Sequence, residues 1–242
     1  MTYLQRREVI IGLAAAAAVP AILARTRAAF ATDKIKPSVS SALIVVDVQN
    51  CFLPGGTLAV KDGDQVIPVI NRIATGFGNV VMTQDWHTPH HMSFASAHGK
   101  KPFEMIKVAY GDQVMWPDHC VQNTEDAQIA KGINIPQANL IIRKGFRKDV
   151  DGYSAFLEAD KKTHSGLASY FKERGIDTVF IAGLATDFCV AWTVVDSCHA
   201  GFTTYVVEDA CRAIDVNGSL AKAWADMTAA GVKKIQSSDF AV

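Results

Sequence analysis

The sequence predicts an α/β fold, a single doubly wound sheet of about six mostly parallel strands with helices on both faces. Short apolar runs rich in Val, Ile and Leu recur from Ser41 onward. Helix-like stretches, several ended by glycine, lie between them. No internal repeat and no low-complexity linker follows residue 40, so one domain is expected over residues 41–242.

The elements follow in order. Ala42–Val48 (ALIVVDV) is nearly all apolar, as in a strand covered on both faces; a strand covered on one face would alternate. Val66–Phe77 reads as a helix, Asn79–Thr83 as the second strand and Leu140–Arg143 as the third. Ser165–Arg174 is amphipathic and stops at Gly175, a residue suited to a helix C-cap. Thr178–Leu184 is the fourth strand, Phe188–Ala200 a helix ended by Gly201, and Thr203–Val207 the fifth strand. Ser219–Ala230, ended by Gly231, is a helix, and Lys234–Gln236 the sixth strand. Between them, Gln84–Gln122 has weak periodicity and reads mostly as loop. It carries His87, His90, His91, His98 and His119 and follows a strand's carboxyl end, where ligands of open α/β sheets collect.

The chain carries 24 basic and 24 acidic side chains, and 49% of its residues are hydrophobic. That apolar content excludes disorder as its main character, and the charge balance argues against a nucleic-acid partner. The zero is a sum of unlike parts. Residues 1–31 hold Arg6, Arg7, Arg25 and Arg27 against Glu8 alone, so residues 32–242 carry a net −3. Arg6-Arg7 precedes the apolar run Val9–Leu23, and Ala29-Phe30-Ala31 fits a small-x-small cleavage site. Residues 1–31 therefore resemble a twin-arginine export signal read by that export machinery, followed by a short segment at 32–40. A periplasmic location with no stable membrane anchor is expected after cleavage. An uncleaved chain would stay cytoplasmic or tethered. The five cysteines leave at least one thiol unpaired. Twin-arginine cargo folds in the reducing cytoplasm, so no disulfide is expected to be needed.

Three chemistry-bearing residues fall at predicted strand ends: Asp47, Lys144 and Cys189. A cysteine near a helix N-terminus is biased toward thiolate, and a nearby lysine adds to that bias. Asp47 can take the thiol proton and return it to a leaving amine, with Lys144 orienting it. Taken singly, each has a plain structural reading: a packed thiol, a turn-capping carboxylate, a surface amine. A second cluster starts from Asp85-Trp86-His87, which places two metal-competent side chains on the same side of an extended segment. His91 and His119 could complete the set, and one carboxylate with two or three imidazoles suits Zn, Fe or Mn. His90 and His98 read as solvated, and Trp86 as core.

Several segments carry a more specific signal: Val46-Asp47-Val48-Gln49-Asn50, Phe52-Leu53-Pro54-Gly55-Gly56, Thr83-Gln84-Asp85-Trp86-His87, Trp116-Pro117-Asp118-His119-Cys120, Lys144-Gly145, Asp151–Phe156 and Gly183–Val190. Together they resemble the nicotinamidase/pyrazinamidase branch of the isochorismatase-like hydrolases over nearly all of residues 40–240. The resemblance implies hydrolysis of a small aromatic amide, nicotinamide and pyrazinamide, through a cysteine thioester. It implies Asp47, Lys144 and Cys189 as the catalytic triad, and backbone N–H groups of Ala185 and Cys189 as the oxyanion hole. It implies a cis peptide at Leu184-Ala185, Phe52, Trp116 and Tyr153 against the substrate ring, and Asp85, His87 and His119 on one divalent metal, Zn or Fe ahead of Mn. His91 stands where the fourth ligand varies in that family, so its role stays open. Cys51 stands where many relatives carry Asp. The competing readings are another amidase or a ureido hydrolase of the same fold, and a non-catalytic metal or ligand binder. The oligomeric state stays open, a homo-oligomer included.

Overall fold

The computed structural model describes residues 34–242; the expected export segment, residues 1–31, lies outside them. Six strands form one sheet: β1 (Ser41–Val46), β2 (Val80–Asp85), β5 (Leu140–Lys144), β6 (Thr178–Leu184), β7 (Thr203–Arg212) and β8 (Lys233–Ile235). Their order is β5-β2-β1-β6-β7-β8, and every neighbouring pair is parallel. The strand order reverses between β1 and β6, which places a topological switch point beyond their carboxyl ends.

All six residues of β1 are buried, because successive side chains enter opposite cores. Leu43 and Val45 pack with Ile70 and Ile73 of α1 (Val66–Ala74). Ala42, Ile44 and Val46 share the other core with Phe171 of α2 (Leu167–Glu173), Val194 of α3 (Ala191–His199) and Met227 of α4 (Ser219–Ala229). Helices therefore cover both faces. Phe171 is fully buried, with ring contacts to Phe156 and Phe202. Phe171→Ala is expected to cost about 3–5 kcal/mol through lost burial and a cavity, read as a fall in the denaturant midpoint with an unchanged slope.

Three elements differ from the sequence expectation. The histidine-rich stretch contains a hairpin, β3 (Met105–Val108) with β4 (Gly111–Val114), turning at Ala109-Tyr110. Its residues are mostly exposed or half-buried, so its apolar signal is faint. Strand β7 runs on past Val207 to Arg212, through Glu208 and Asp209. Those carboxylates are held by the C-terminal segment: Glu208 accepts from Lys234 and Gln236, and Asp209 from the Ser237 backbone. The expected helix at Phe188–Ala200 is instead a π-helical turn, Thr186–Val190, leading into α3. Among the described residues no helix is long and apolar enough to cross a membrane.

Candidate active site

Four neighbouring strands each deliver one charged or nucleophilic group to the same point. Lys144 ends β5, Asp85 ends β2, Asp47 follows β1, and Cys189 lies in the π-turn after β6. Lys144 Nζ is 2.7 Å from Asp47 Oδ2, touches Asp85 Oδ1, donates to the Gly152 carbonyl at 2.9 Å and lies 3.2 Å from Cys189 Sγ. The pair with Asp47 is ionic but poorly aligned, so Oδ2 lacks a hydrogen-bond partner. Its other oxygen accepts from Thr83 Oγ1 at 2.6 Å. Strands β1 and β6 approach closely here: a Cβ on Gly183 would sit 2.0 Å from the Val46 carbonyl oxygen, so only glycine fits. The expected cis peptide is at Leu184-Ala185.

Burial sets the proton positions. It lifts Asp47 to about 6, against the pull of Lys144 and with the help of the negative Asp85. Burial would raise Asp85 as well, but Lys144 and His87 hold it below the usual carboxylate range. One ammonium thus serves two carboxylates; Asp85 stays ionised throughout, and Asp47 titrates. Burial disfavours charge on Lys144, but Asp47 and Asp85 outweigh it and hold the ammonium charged. Burial also pushes the Cys189 thiol well up, and Lys144 offsets this only in part. The resting group is therefore a thiol, where the helix-terminus argument favoured thiolate.

Asp85, His87 and His119 bring a carboxylate oxygen and two ring nitrogens within 4.8 Å of one another. His87 Nε2 is 3.7 Å and His119 Nε2 3.9 Å from Asp85 Oδ2. Each imidazole places its Nδ1 on a backbone carbonyl, Gly145 at 2.9 Å and Pro117 at 2.8 Å. Their Nδ1–H groups donate to those carbonyls and turn each Nε2 toward the carboxylate, the outer-shell arrangement typical of histidine ligands. Burial would lower the pKa of His87, but Asp85 outweighs it and raises it. Burial and the neighbouring His87 push His119 down to about 4, which keeps it neutral. A Cβ on Gly145 would lie 2.4 Å from His87 Cε1, so glycine is required beside this ring. These residues can hold a divalent metal.

His91 is placed differently. Its Nδ1 faces Ser93 Oγ at 2.8 Å and its Nε2 the Arg147 carbonyl at 2.8 Å, so both nitrogens are engaged within the protein. Asp47, Asp85 and Cys189 also cluster, but Lys144 already supplies the cation there. His90 and His98 are exposed, and Trp86 is core, under the Arg143 guanidinium at 3.9 Å.

A narrow cleft runs between the Asp85–His87–His119 cluster and Cys189. Phe52, Trp116 and Tyr153 line it, together with Leu58, Asp151, Phe188 and Ile214. The Tyr153 hydroxyl accepts from Trp116 Nε1 at 2.9 Å and from Gln113 Nε2 at 2.8 Å. Gln113 belongs to β4, so the unexpected hairpin braces the aromatic wall. Gln49 is another residue whose role sequence reasoning missed. Its side chain accepts from the Asp85 N–H and donates to the Asp85 carbonyl, both at 2.8 Å, fixing the end of β2. The apolar Ile214 arrives because Asp187 accepts backbone N–H bonds from Ile214 and Asp215.

The expectation that no disulfide would form is corrected: Cys51 and Cys120 are bonded, with Cα atoms 5.7 Å apart. One residue docks both strands of chain. The Asp126 carbonyl accepts the Cys51 N–H at 2.8 Å, and its carboxylate accepts the Cys120 N–H at 3.0 Å. Cys189, Cys198 and Cys211 are free thiols.

Residues 41–239 match the model of the isochorismatase domain. Over 210 residues the chain is 57% identical to a nicotinamidase of Acinetobacter baylyi, covering 86% of this chain and 98% of that one. A solved Acinetobacter baumanii nicotinamidase/pyrazinamidase superimposes with TM-score 0.83 at 59% identity, over 84% of this chain and 98% of that one. A pyrazinamidase of Pyrococcus horikoshii, solved in complex with zinc, superimposes with TM-score 0.67 at 33% identity, over 81% and 99%.

Proposed function

The chain belongs to the isochorismatase domain family, and from that premise we propose that it is a metal-dependent nicotinamidase. It would hydrolyse nicotinamide, and pyrazinamide as a close analogue, to the aromatic acid and ammonia. The observation that carries this reading is the convergence of Asp47, Lys144 and Cys189 beside an aromatic cleft and a carboxylate–imidazole cluster. The 57% identity to a nicotinamidase supports the substrate class.

Phe52, Trp116 and Tyr153 would hold the flat ring by burial and aromatic contact. A divalent ion on Asp85, His87 and His119 would supply a Lewis-acid site for the pyridine nitrogen, Zn or Fe suiting this donor set ahead of Mn. Held at both ends, the carboxamide carbon stands against Cys189, and attack becomes a positioned, unimolecular step. Asp47 takes the thiol proton as Sγ bonds to that carbon. Backbone N–H groups of Ala185 and Cys189 would receive the developing oxyanion. Asp47 then passes the proton to the departing nitrogen, releasing ammonia and leaving a thioester. Water attacks the thioester with Asp47 again as base, freeing the acid and the thiol. Lys144 stays charged throughout and keeps Asp47 oriented.

Asp47 works as a base only when ionised. Because its carboxyl is raised to about 6, kcat/KM should be flat above that pH and fall about tenfold per pH unit below it. A profile that stays flat to pH 5 would contradict the assignment. The activity itself is tested by ammonia release from nicotinamide, pyrazinamide and a ureido compound by the metal-loaded chain. No release from the two aromatic amides would reject the reading.

We also propose that residues 1–31 direct export and are removed before Thr32, which would place the enzyme in the periplasm. The twin-arginine pattern supports this, and the Cys51–Cys120 bond suits an oxidising compartment. The periplasmic fraction should yield a chain beginning at Thr32, and Arg6→Lys with Arg7→Lys should leave the precursor in the cytoplasm.

A further inference from the structure

We propose that the Cys51–Cys120 bond is a positioning element of the active site, locking Phe52 and His119 together so that the ring wall and the metal-binding imidazole form one unit. This rests on the reading of His119 as a metal ligand and Phe52 as a ring contact.

The bonded cysteines are immediate neighbours of those two residues: Cys51 precedes Phe52, and Cys120 follows His119. The two rings meet edge-on, with centroids 5.6 Å apart. They come from distant chain, Phe52 from the turn after β1 and His119 from the segment after β4, and the bond spans 69 residues of sequence. Both cysteines are wholly buried.

The two histidines of the cluster are anchored unequally. His87 bonds through Nδ1 to the carbonyl of Gly145, which follows a different strand. His119 bonds only to Pro117, two residues earlier. That contact is local; it moves with the loop and fixes nothing to the sheet. The chain that follows His119 is anchored instead, through Gln122, whose N–H donates to the His87 carbonyl at 2.8 Å, and through Cys120. Its carbonyl accepts the His87 N–H at 3.0 Å, its own N–H donates to Asp126, and its sulfur is bonded to Cys51. Cys120 also has φ 45°, a left-handed conformation that a residue with a side chain abandons readily unless its surroundings hold it. Lys144, Asp47 and Cys189 lie outside this tether.

The test uses Cys51→Ala, Cys120→Ala and the double variant in the full chain, with Cys51→Ser and Cys120→Ser as volume-conserving counterparts. Each single variant and the double should lose metal to a chelator about tenfold faster than wild type, the scale of an outer-shell partner. KM for nicotinamide should rise while kcat per bound metal stays put. The three shifts should be equal, since any one substitution removes the same bond; two separately packed thiols would give additive shifts. Unchanged metal retention, additive shifts, or a fall in kcat at constant KM would overturn the proposal. So would failure of both the Ala and the Ser sets to fold, which would make the bond a folding device. A further arm needs no variant: the wild-type chain, denatured without reductant, should titrate three thiols, and five would overturn it. Thiol count and metal loss do not depend on the substrate, so a chain that passes both but releases no ammonia would fail the nicotinamidase reading and leave the tether standing.

Discussion

Cys189→Ala should lower kcat/KM for nicotinamide by roughly 10^4-fold or more, the scale of losing a nucleophile that acts as one unit with its base. That loss corresponds to about 5.5 kcal/mol of transition-state stabilisation. The geometry gives the reason. Cys189 is the one thiol in the cleft, its Sγ 3.2 Å from Lys144 Nζ, while Cys198 and Cys211 do not line it. Without Sγ, Asp47 has no nucleophile to activate, and water would have to attack the amide directly. The Cys189 sulfur lies near Asp85 but is not one of the Asp85–His87–His119 donors, so metal content should stay at the wild-type level. Ammonia release and metal analysis on one preparation check both halves. Residual turnover near wild type would remove Cys189 from the mechanism.

His119→Ala should separate the two functions in the opposite sense. Removing one of three donors should weaken metal binding by at least about 100-fold, beyond the range seen for outer-shell partners. The triad would remain, since Lys144 contacts Asp47, Asp85 and Cys189 but not His119. The loss should therefore appear first in metal content and in KM, with the ring no longer held at its nitrogen. Direct metal analysis after dialysis reads this, and full metal content in the variant would refute the ligand assignment.

The chemistry was legible in the sequence because it sits at strand ends. Asp47, Asp85, Lys144 and Cys189 each follow or close an apolar run, and an open parallel sheet gathers such ends at one place. Strands β1 and β6 were legible because burial on both faces leaves nearly uninterrupted apolar stretches. What stayed hidden depends on partners distant in sequence. Gln49 is an unremarkable amide until β2 pairs beside β1 and presents the Asp85 backbone to it. Gln113 braces Tyr153 only because a faintly apolar hairpin exists. The extension of β7 carries two carboxylates whose hydrogen-bond donors follow more than 20 residues later. The Cys51–Cys120 pair could not be read from five cysteines and a compartment argument; it follows from Asp126 docking both segments.

The central claim is that an amide is opened by covalent attack of Cys189. Its most direct test is mass analysis of the intact wild-type chain, acid-quenched during turnover on nicotinamide. The expected result is a fraction of the chain heavier by one nicotinoyl group, mapped by peptide analysis to Cys189 and absent from Cys189→Ala. Ammonia released at the wild-type rate by Cys189→Ala, with no adduct on either chain, would contradict it.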